Sequence, residues 1–553
     1  MPAEPDAGQI GRSVIDRRDF LRKGVAAGAV LSVGSTLSCS DGGENPAPAP
    51  PSAAFELDEA TVSALQEGMT SGKYTSQSLT ELYLARIEAI DRSGPTINSV
   101  IETNPSALEI ATSLDTERKS GRVRGPLHGV PVLIKDNIDT EDLMKTSAGS
   151  LALADSVAAQ DAGLVRRLRE AGAVIIGKTN LSEWANIRSP RSTSGWSGRG
   201  GLTRNPYALD RNACGSSSGT GAAIAASLAA VGIGTETDGS ILCPSNANGL
   251  VGIKPTVGLV SRSGIIPISQ SQDTAGPMCR TVRDAAVLLS AMAGADPRDG
   301  ATSASTGHVE ADYTAFCDPS GLRGARIGVV RSMFNAGPHV NAIMEEALVA
   351  LKAAGAELVD PVDIPTAERI SDPEFEVLLY EFKDGLNTYL STSGPRAPYK
   401  TLEEIITFNE ENREREMPYF GQETFVRAQG KGSLSDPAYR RALAACRSLS
   451  RDQGLDRALK THRLQALIAP TGGPAWVTDL VNGDHFGGGS STLSAVAGYA
   501  SITVPAGHVF GLPVGLSFMG GAWSEGALIK LAYAFEQATK VRRAPAFAAR
   551  AVG

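Results

Sequence analysis

Apolar residues recur at helical spacing through residues 57–90, with Val62 and Leu65 in one run and Leu79, Leu82, Leu84 and Ile87 in the next. Gly72 and Tyr74 divide the runs, and Thr75 or Ser76 can cap the second, so a pair of packed helices is expected. Beyond them the apolar runs shorten. Residues 129–137 (Gly-Val-Pro-Val-Leu-Ile-Lys-Asp-Asn) form an apolar strand that ends in Lys135. Residues 164–171 have helical spacing and 173–176 that of a buried strand. Strands are expected at 231–234 and 250–253, with an alanine-rich helix at 221–230 before the first of them. Short apolar strands alternating with helices are the pattern of an α/β sheet covered on both faces. From about 324 to 462 glycine thins, charge rises and helical periodicity dominates, as in Val340-Asn341-Ala342-Ile343-Met344. This more helical part is expected to wall or lid a pocket. Strands return at 467–470 and 501–505, and a helix at 525–539 closes the chain. No repeat of 20–50 residues appears, which disfavours a solenoid.

The first 54 residues follow a different pattern. Asp16-Arg17-Arg18-Asp19-Phe20-Leu21-Arg22-Lys23 is a charged twin-arginine segment, and a mildly apolar run follows at 24–37. That run is too short and too rich in Gly, Ala and Ser for the ~20 residues of a membrane span. It suits an export signal of the twin-arginine type across residues 1–39. Thr36-Leu37-Ser38-Cys39 has the layout of a lipobox with Cys39 as the acylated residue, but Thr36 stands where Leu or Val is usual. A lipid anchor and a plain periplasmic leader both stay open. Residues 40–54 are a Pro/Ala-rich linker, extended and semi-rigid. Residues 55–553 contain no second linker of that kind and are taken as one catalytic domain.

Composition narrows the function. The formal net charge is −8, and no basic run follows the leader, so nucleic acid is not the expected partner. The six cysteines lack any CxxC pair, which argues against a metal site and against a disulfide framework. Cys214 is expected to be a small buried side chain. There is no H-E-x-x-H and no G-x-S-x-G elbow, and none of the six histidines sits where a Ser-His-Asp hydrolase needs one. His128, between Pro126 and Gly129, suits a turn better than a catalytic base. No cofactor or metal is implied.

What stands out is 14 glycines among the 71 residues from Ser194 to Gly264, with clustered serines between them. Average usage is roughly 7%. Such density serves positive φ angles or a close approach of backbone to a ligand. With serine and no histidine, a neutral lysine is the remaining base, and lowering its pKa from 10.4 to about 7.5 takes about 4 kcal/mol. Lys135, Lys178 and Lys254 each follow an apolar strand, and periodicity does not choose among them.

Three segments in order, Gly129-Val130-Pro131-Val132-Leu133-Ile134-Lys135-Asp136-Asn137, Cys214-Gly215-Ser216-Ser217-Ser218-Gly219 and Thr235-Glu236-Thr237-Asp238-Gly239-Ser240-Ile241, resemble the amidase signature family. The N-terminal helix pair and Ala469-Pro470-Thr471 fit as well, so the likeness covers the mature chain. It implies the amidase-signature fold, a mixed central sheet with helices on both faces. It further implies Ser240 as nucleophile, Ser216 as a bridging serine on a cis peptide, and Lys135 as base. The 24-residue separation of Ser216 from Ser240 is the family's, which sets Ser217 and Ser218 aside as the bridge. Backbone N–H groups of Thr237, Asp238, Gly239 and Ser240 are the implied oxyanion hole. The substrate would be a small-molecule or peptide amide, and the enzyme a monomer or homodimer.

The sequence departs from the commonest family pattern at Cys214, Ser218 and Asp238. Together with Ser194-Gly195-Trp196-Ser197-Gly198-Arg199-Gly200-Gly201, these departures resemble the peptide-amidase branch, whose members remove C-terminal amides from peptides. Ser217, Asp238, Trp184 and Trp196 become candidate substrate contacts, with Asp238 serving either substrate or the cap of the following helix. Cys243, three residues after Ser240, lacks an adjacent base motif and is rejected as a thiol nucleophile. Two rivals remain: an amidotransferase subunit that releases ammonia from glutamine, and a non-catalytic periplasmic binding protein on the same fold.

Overall fold

The computed structural model describes residues 55–392 and 397–551. Residues 1–54, with the expected export signal, the expected linker and Cys39, lie outside the described residues. Thirteen strands occur along the described chain. In order they are β1 (Val100–Thr103), β2 (Pro131–Lys135), β3 (Val174–Thr179), β4 (Trp196–Ser197), β5 (Gly201–Leu202), β6 (Val231–Glu236) and β7 (Val251–Lys254). Then come β8 (Thr274–Cys279), β9 (Arg326–Val329), β10 (Glu357–Val359), β11 (Ala466–Pro470), β12 (Ser501–Val509) and β13 (Leu512–Met519). All but the β4–β5 ribbon join one sheet of 11 strands, in the order β1-β3-β2-β6-β8-β7-β12-β13-β11-β9-β10. β3, β2 and β6 run parallel to one another, as do β11, β9 and β10, while every other pair in the sheet, β1 with β3 included, is antiparallel. The sheet is therefore mixed, and it is flanked by helices.

The expected helix pair is Val62–Thr70 and Ser76–Arg86. Thr75 caps the second: its side chain accepts from Ser78 N–H while the Ser78 hydroxyl satisfies the Thr75 N–H. The alanine-rich helix is shorter than its composition suggests, running from Ser218 to Ala225 rather than to residue 230. The buried Arg280 guanidinium explains the stop. It donates to the carbonyls of Ile224, Ala229 and Ala230, so the last turn bends back into β6 instead of propagating. The helix lies tight on the sheet. A Cβ at Gly232 of β6 would meet Ile224 Cγ1 at 2.6 Å and Thr220 Cγ2 at 2.7 Å.

The region 324–462 is not purely helical. It opens with β9 and holds β10, which extend one edge of the sheet, and only then turns to helices, the longest Ser371–Thr392. A three-residue strand beside a 16-residue helix carries too little periodicity to show in sequence.

Candidate active site

Lys135 ends β2 and is wholly buried. Its Nζ donates to Ser216 Oγ at 2.8 Å, Thr235 Oγ1 at 2.9 Å and the Thr235 carbonyl at 3.3 Å. Burial pushes this ammonium down to about 7, against the opposing pull of Asp273 and Glu236. The other two strand-end lysines go elsewhere. In the parallel pairing of β2 with β3, Lys178 lies opposite Ile134 and Lys135 opposite Thr179. Side chains alternate along a strand, so the two lysines leave opposite faces of the sheet. Lys178 Nζ donates to the Ile138 carbonyl and Thr146 Oγ1. Lys254, lowered by burial to about 8, donates to the Pro255 carbonyl. Of the three, Lys135 is the one that meets a serine.

Ser216 is fully buried and follows a cis peptide bond from Gly215. A Cβ at Gly215 would sit 2.2 Å from Ser182 Oγ, so any other residue would displace the loop. Ser217 Oγ donates to the Thr235 carbonyl at 3.1 Å and accepts from the Thr235 N–H at 3.2 Å, tying the serine loop to β6. The Ser217 N–H in turn donates to the Ser240 carbonyl at 3.2 Å, which brings the nucleophile-candidate loop alongside.

That loop leaves β6 at Glu236 and enters the helix Leu242–Ala247. Glu236 Oε2 accepts from the N–H groups of Ile241 and Leu242, so Glu236 caps the helix and Asp238 does not. Asp238 instead accepts from the hydroxyls of Ser491 and Thr492, at 2.5 and 2.7 Å. Thr237 is held by its hydroxyl to Asp273 Oδ1 at 2.6 Å and by its carbonyl to Gln272 Nε2 at 3.3 Å. Asp273 is itself fixed by the N–H groups of Ile268 and Ser269, both at 2.8 Å, and its burial raises it to about 6. The backbone N–H groups of Asp238, Gly239 and Ser240 find no acceptor among the described residues.

A disulfide joins Cys214 to Cys243, with Cα atoms 5.9 Å apart. This corrects the expectation that no disulfide framework exists and that Cys214 is merely a small buried side chain. The two cysteines lie 29 residues apart, a distance that no local motif signals. One stands two residues before Ser216 and the other three after Ser240, so the bond clamps both serine loops. Closing a loop of this length contributes about 3–4 kcal/mol in the chain-entropy model. The double variant Cys214→Ser/Cys243→Ser is expected to lose about 2–4 kcal/mol of stability, and turnover is expected to fall about ten- to a hundredfold as the serines lose register. Thermal melts and turnover with and without dithiothreitol check this, and indifference of both to reduction removes the clamp.

Two cavities flank the loop. The larger, about 510 Å³, is lined by Asn137, Thr235, Thr237 and Asp273 on the sheet side and by Asp384 and Tyr389 of the long helix opposite. The long helix Ser371–Thr392, from the helical part of the chain, supplies that wall. The smaller, about 240 Å³, is bordered by Gly215, Asp238, Gly239, the disulfide and Trp476. Three of the four candidate substrate contacts sit apart from both cavities. Ser217 is spent on Thr235. Trp184 packs edge-to-face on Phe425, and Trp196 on Tyr419 and Phe420, both as core. Of the four, Asp238 borders a cavity. Sequence reasoning gave no role to Thr235, which opens the third motif, nor to Asp273 and Gln272, which lie outside every motif; all three hydrogen-bond to Lys135 or to the serine and nucleophile-candidate loops.

A family model described as Amidase matches residues 78–529, a span that contains every group just described. The chain belongs to the amidase family. It is 42% identical over 507 residues to a probable amidase of Arabidopsis thaliana, covering 90% of this chain and 93% of that one. The crystal structure of native peptide amidase from Stenotrophomonas maltophilia superposes with a TM-score of 0.86 at 53% identity, covering 89% of this chain and 99% of that chain. A glutamyl-tRNA(Gln) amidotransferase subunit of Moorella thermoacetica is 36% identical over 502 residues, covering 88% and 98%. The likeness to the peptide-amidase branch is thus supported at the level of the whole fold.

Proposed function

We propose that this amidase-family hydrolase is exported and cleaves a carboxamide C–N bond, a peptide C-terminal amide in the first instance, through Lys135, Ser216 and Ser240. The observation that carries the reading is the buried Lys135 amine in hydrogen-bond contact with Ser216, on a loop tied to that of Ser240. Neutral Lys135 takes the proton of Ser216, which takes that of Ser240 as its oxygen attacks the amide carbon. The developing oxyanion is met by the N–H groups of residues 237–240, of which those of Asp238, Gly239 and Ser240 have no acceptor among the described residues. Collapse breaks the C–N bond, and the proton held on Lys135 returns through Ser216 to the departing ammonia. Water then opens the acyl-enzyme by the same relay, leaving a carboxylic acid.

The peptide-amide reading draws on the 53–54% identity to peptide amidase structures, against 36% to the Moorella amidotransferase protein. The twin-arginine leader speaks for export, and the disulfide fits an oxidising compartment. Ammonia release across peptide amides, aliphatic amides and aryl amides tests the reading. Turnover is expected on peptide amides. Activity on the other classes with none on any peptide amide would overturn the substrate class and leave the amidase chemistry standing.

A further inference from the structure

The larger cavity has a feature that the reaction as described leaves unused. Asn137, two residues beyond Lys135, is buried at 3% exposure and lines this cavity. Its Nδ2 donates to Thr235 Oγ1 at 3.0 Å, the same hydroxyl that receives Lys135, and its backbone carbonyl accepts from the Ile266 N–H at 2.9 Å. Its side-chain oxygen has no partner among the described residues. Leaving such an acceptor dry and unpaired costs about 1–3 kcal/mol, a cost that a ligand N–H removes. Glu236, which also lines the cavity, has an unpaired Oε1 too, but its carboxylate already caps a helix and faces the Lys254 ammonium. Asn137 has no such second duty for its oxygen.

Which N–H the oxygen receives follows from the space around it. Ammonia needs no cavity of about 510 Å³, so this volume suits the acyl part of the substrate. We propose that Asn137 orients the substrate, its Oδ1 accepting the backbone N–H of the residue whose carboxamide is cleaved, so that the enzyme selects N-acylated amino-acid amides over amides lacking that donor. The inference rests on the peptide-amide reading above. Thr237, at the start of the proposed oxyanion loop, lines the same cavity, so the acceptor and the loop share one wall, while Asp238 and Gly239 border the smaller cavity. The anchor also stands on the segment that carries the base, through Thr235, so a seated substrate and the proton relay share one rigid support.

The test uses N-acetyl-phenylalanine amide and its analogue methylated on the backbone nitrogen, with the wild-type protein, Asn137→Leu and Asn137→Asp. The wild type is expected to prefer the N–H substrate about 10- to 100-fold in kcat/KM, carried mainly by KM. Asn137→Leu should collapse that preference to within about threefold. Asn137→Asp keeps an acceptor oxygen in place and should retain the preference, although its loss of the bond to Thr235 alters kcat and the pH profile. A role confined to holding Thr235 and Lys135 would slow both substrates equally, and an unchanged ratio in Asn137→Leu overturns the proposal. So does a wild type indifferent to methylation, the result expected if the amide nitrogen rather than the oxygen faced the substrate. Failure of the parent reading looks different: the wild type would release ammonia from other amides and from neither of these two.

Discussion

Lys135→Met is expected to lower kcat about 10⁴-fold while making the protein more stable at neutral pH. The lysine is the base of the proposed relay, and methionine fills its volume without a proton acceptor. The gain in stability has a separate origin. Burial lowers the ammonium from its ordinary 10.5 to about 7 in the native state. Between those values the unfolded chain binds more protons than the folded one, so wild-type stability rises with pH across the window. Below about 7 the full penalty applies, roughly 5 kcal/mol. Part of it is offset in the variant by lost hydrogen bonds to Ser216 and Thr235, about 1–3 kcal/mol. Melting curves from pH 6 to 9 should show the variant ahead at pH 6 and its lead shrinking as pH rises. Wild-type kcat/KM should rise through an apparent pKa near 7, since only neutral Lys135 can accept the serine proton. A variant less stable at every pH would mean that Lys135 is not held in the desolvated state that makes it a base.

The same lysine shows how far the sequence can be read. Three apolar strands ending in lysine are equivalent by periodicity, because period 2 says which residues share a face and not which face meets the serines. The pairing of Lys135 with Thr179 and of Lys178 with Ile134 separates these two, the strand order sets Lys254 on β7 beyond β6 and β8, and both pairing and order are long-range properties. Elements with strong local signals are legible: the Thr75 cap, the strand ahead of Lys135, and the closing helix Glu525–Thr539, whose bounds are those expected. Features fixed by distant partners are not. The alanine-rich helix stops because Arg280, some fifty residues on, takes its carbonyls. Asp238 faces two hydroxyls contributed from more than 250 residues away, and neither of its expected roles, helix cap or substrate contact, points to them. The Cys214–Cys243 bond belongs with these. Its partners look unrelated in a linear reading and adjacent once the two serine loops close on each other.

Ser240→Ala is expected to abolish fluorophosphonate labelling and to lower kcat about 10⁶-fold, the scale at which a nucleophile and its base fail together. Persistent labelling would sink the nucleophile assignment. The more searching experiment is the combination of variants. If Ser216 passes the proton of Ser240 to Lys135, removing either the bridge or the base breaks the same path. Ser216→Ala with Lys135→Met should then be no slower than the worse single variant, within about threefold, since residues acting as a unit are strongly non-additive. Additive losses would mean that the two side chains serve the reaction independently, with Lys135 acting on Ser240 by another route. The geometry sets the expectation: Lys135 Nζ lies 2.8 Å from Ser216 Oγ, and it also donates to the hydroxyl and carbonyl of Thr235, which belong to the strand rather than to the nucleophile loop. Ser217→Ala supplies the contrast. Its hydroxyl bonds the Thr235 backbone, so its removal should cost about 1–3 kcal/mol of stability, while labelling at Ser240 remains.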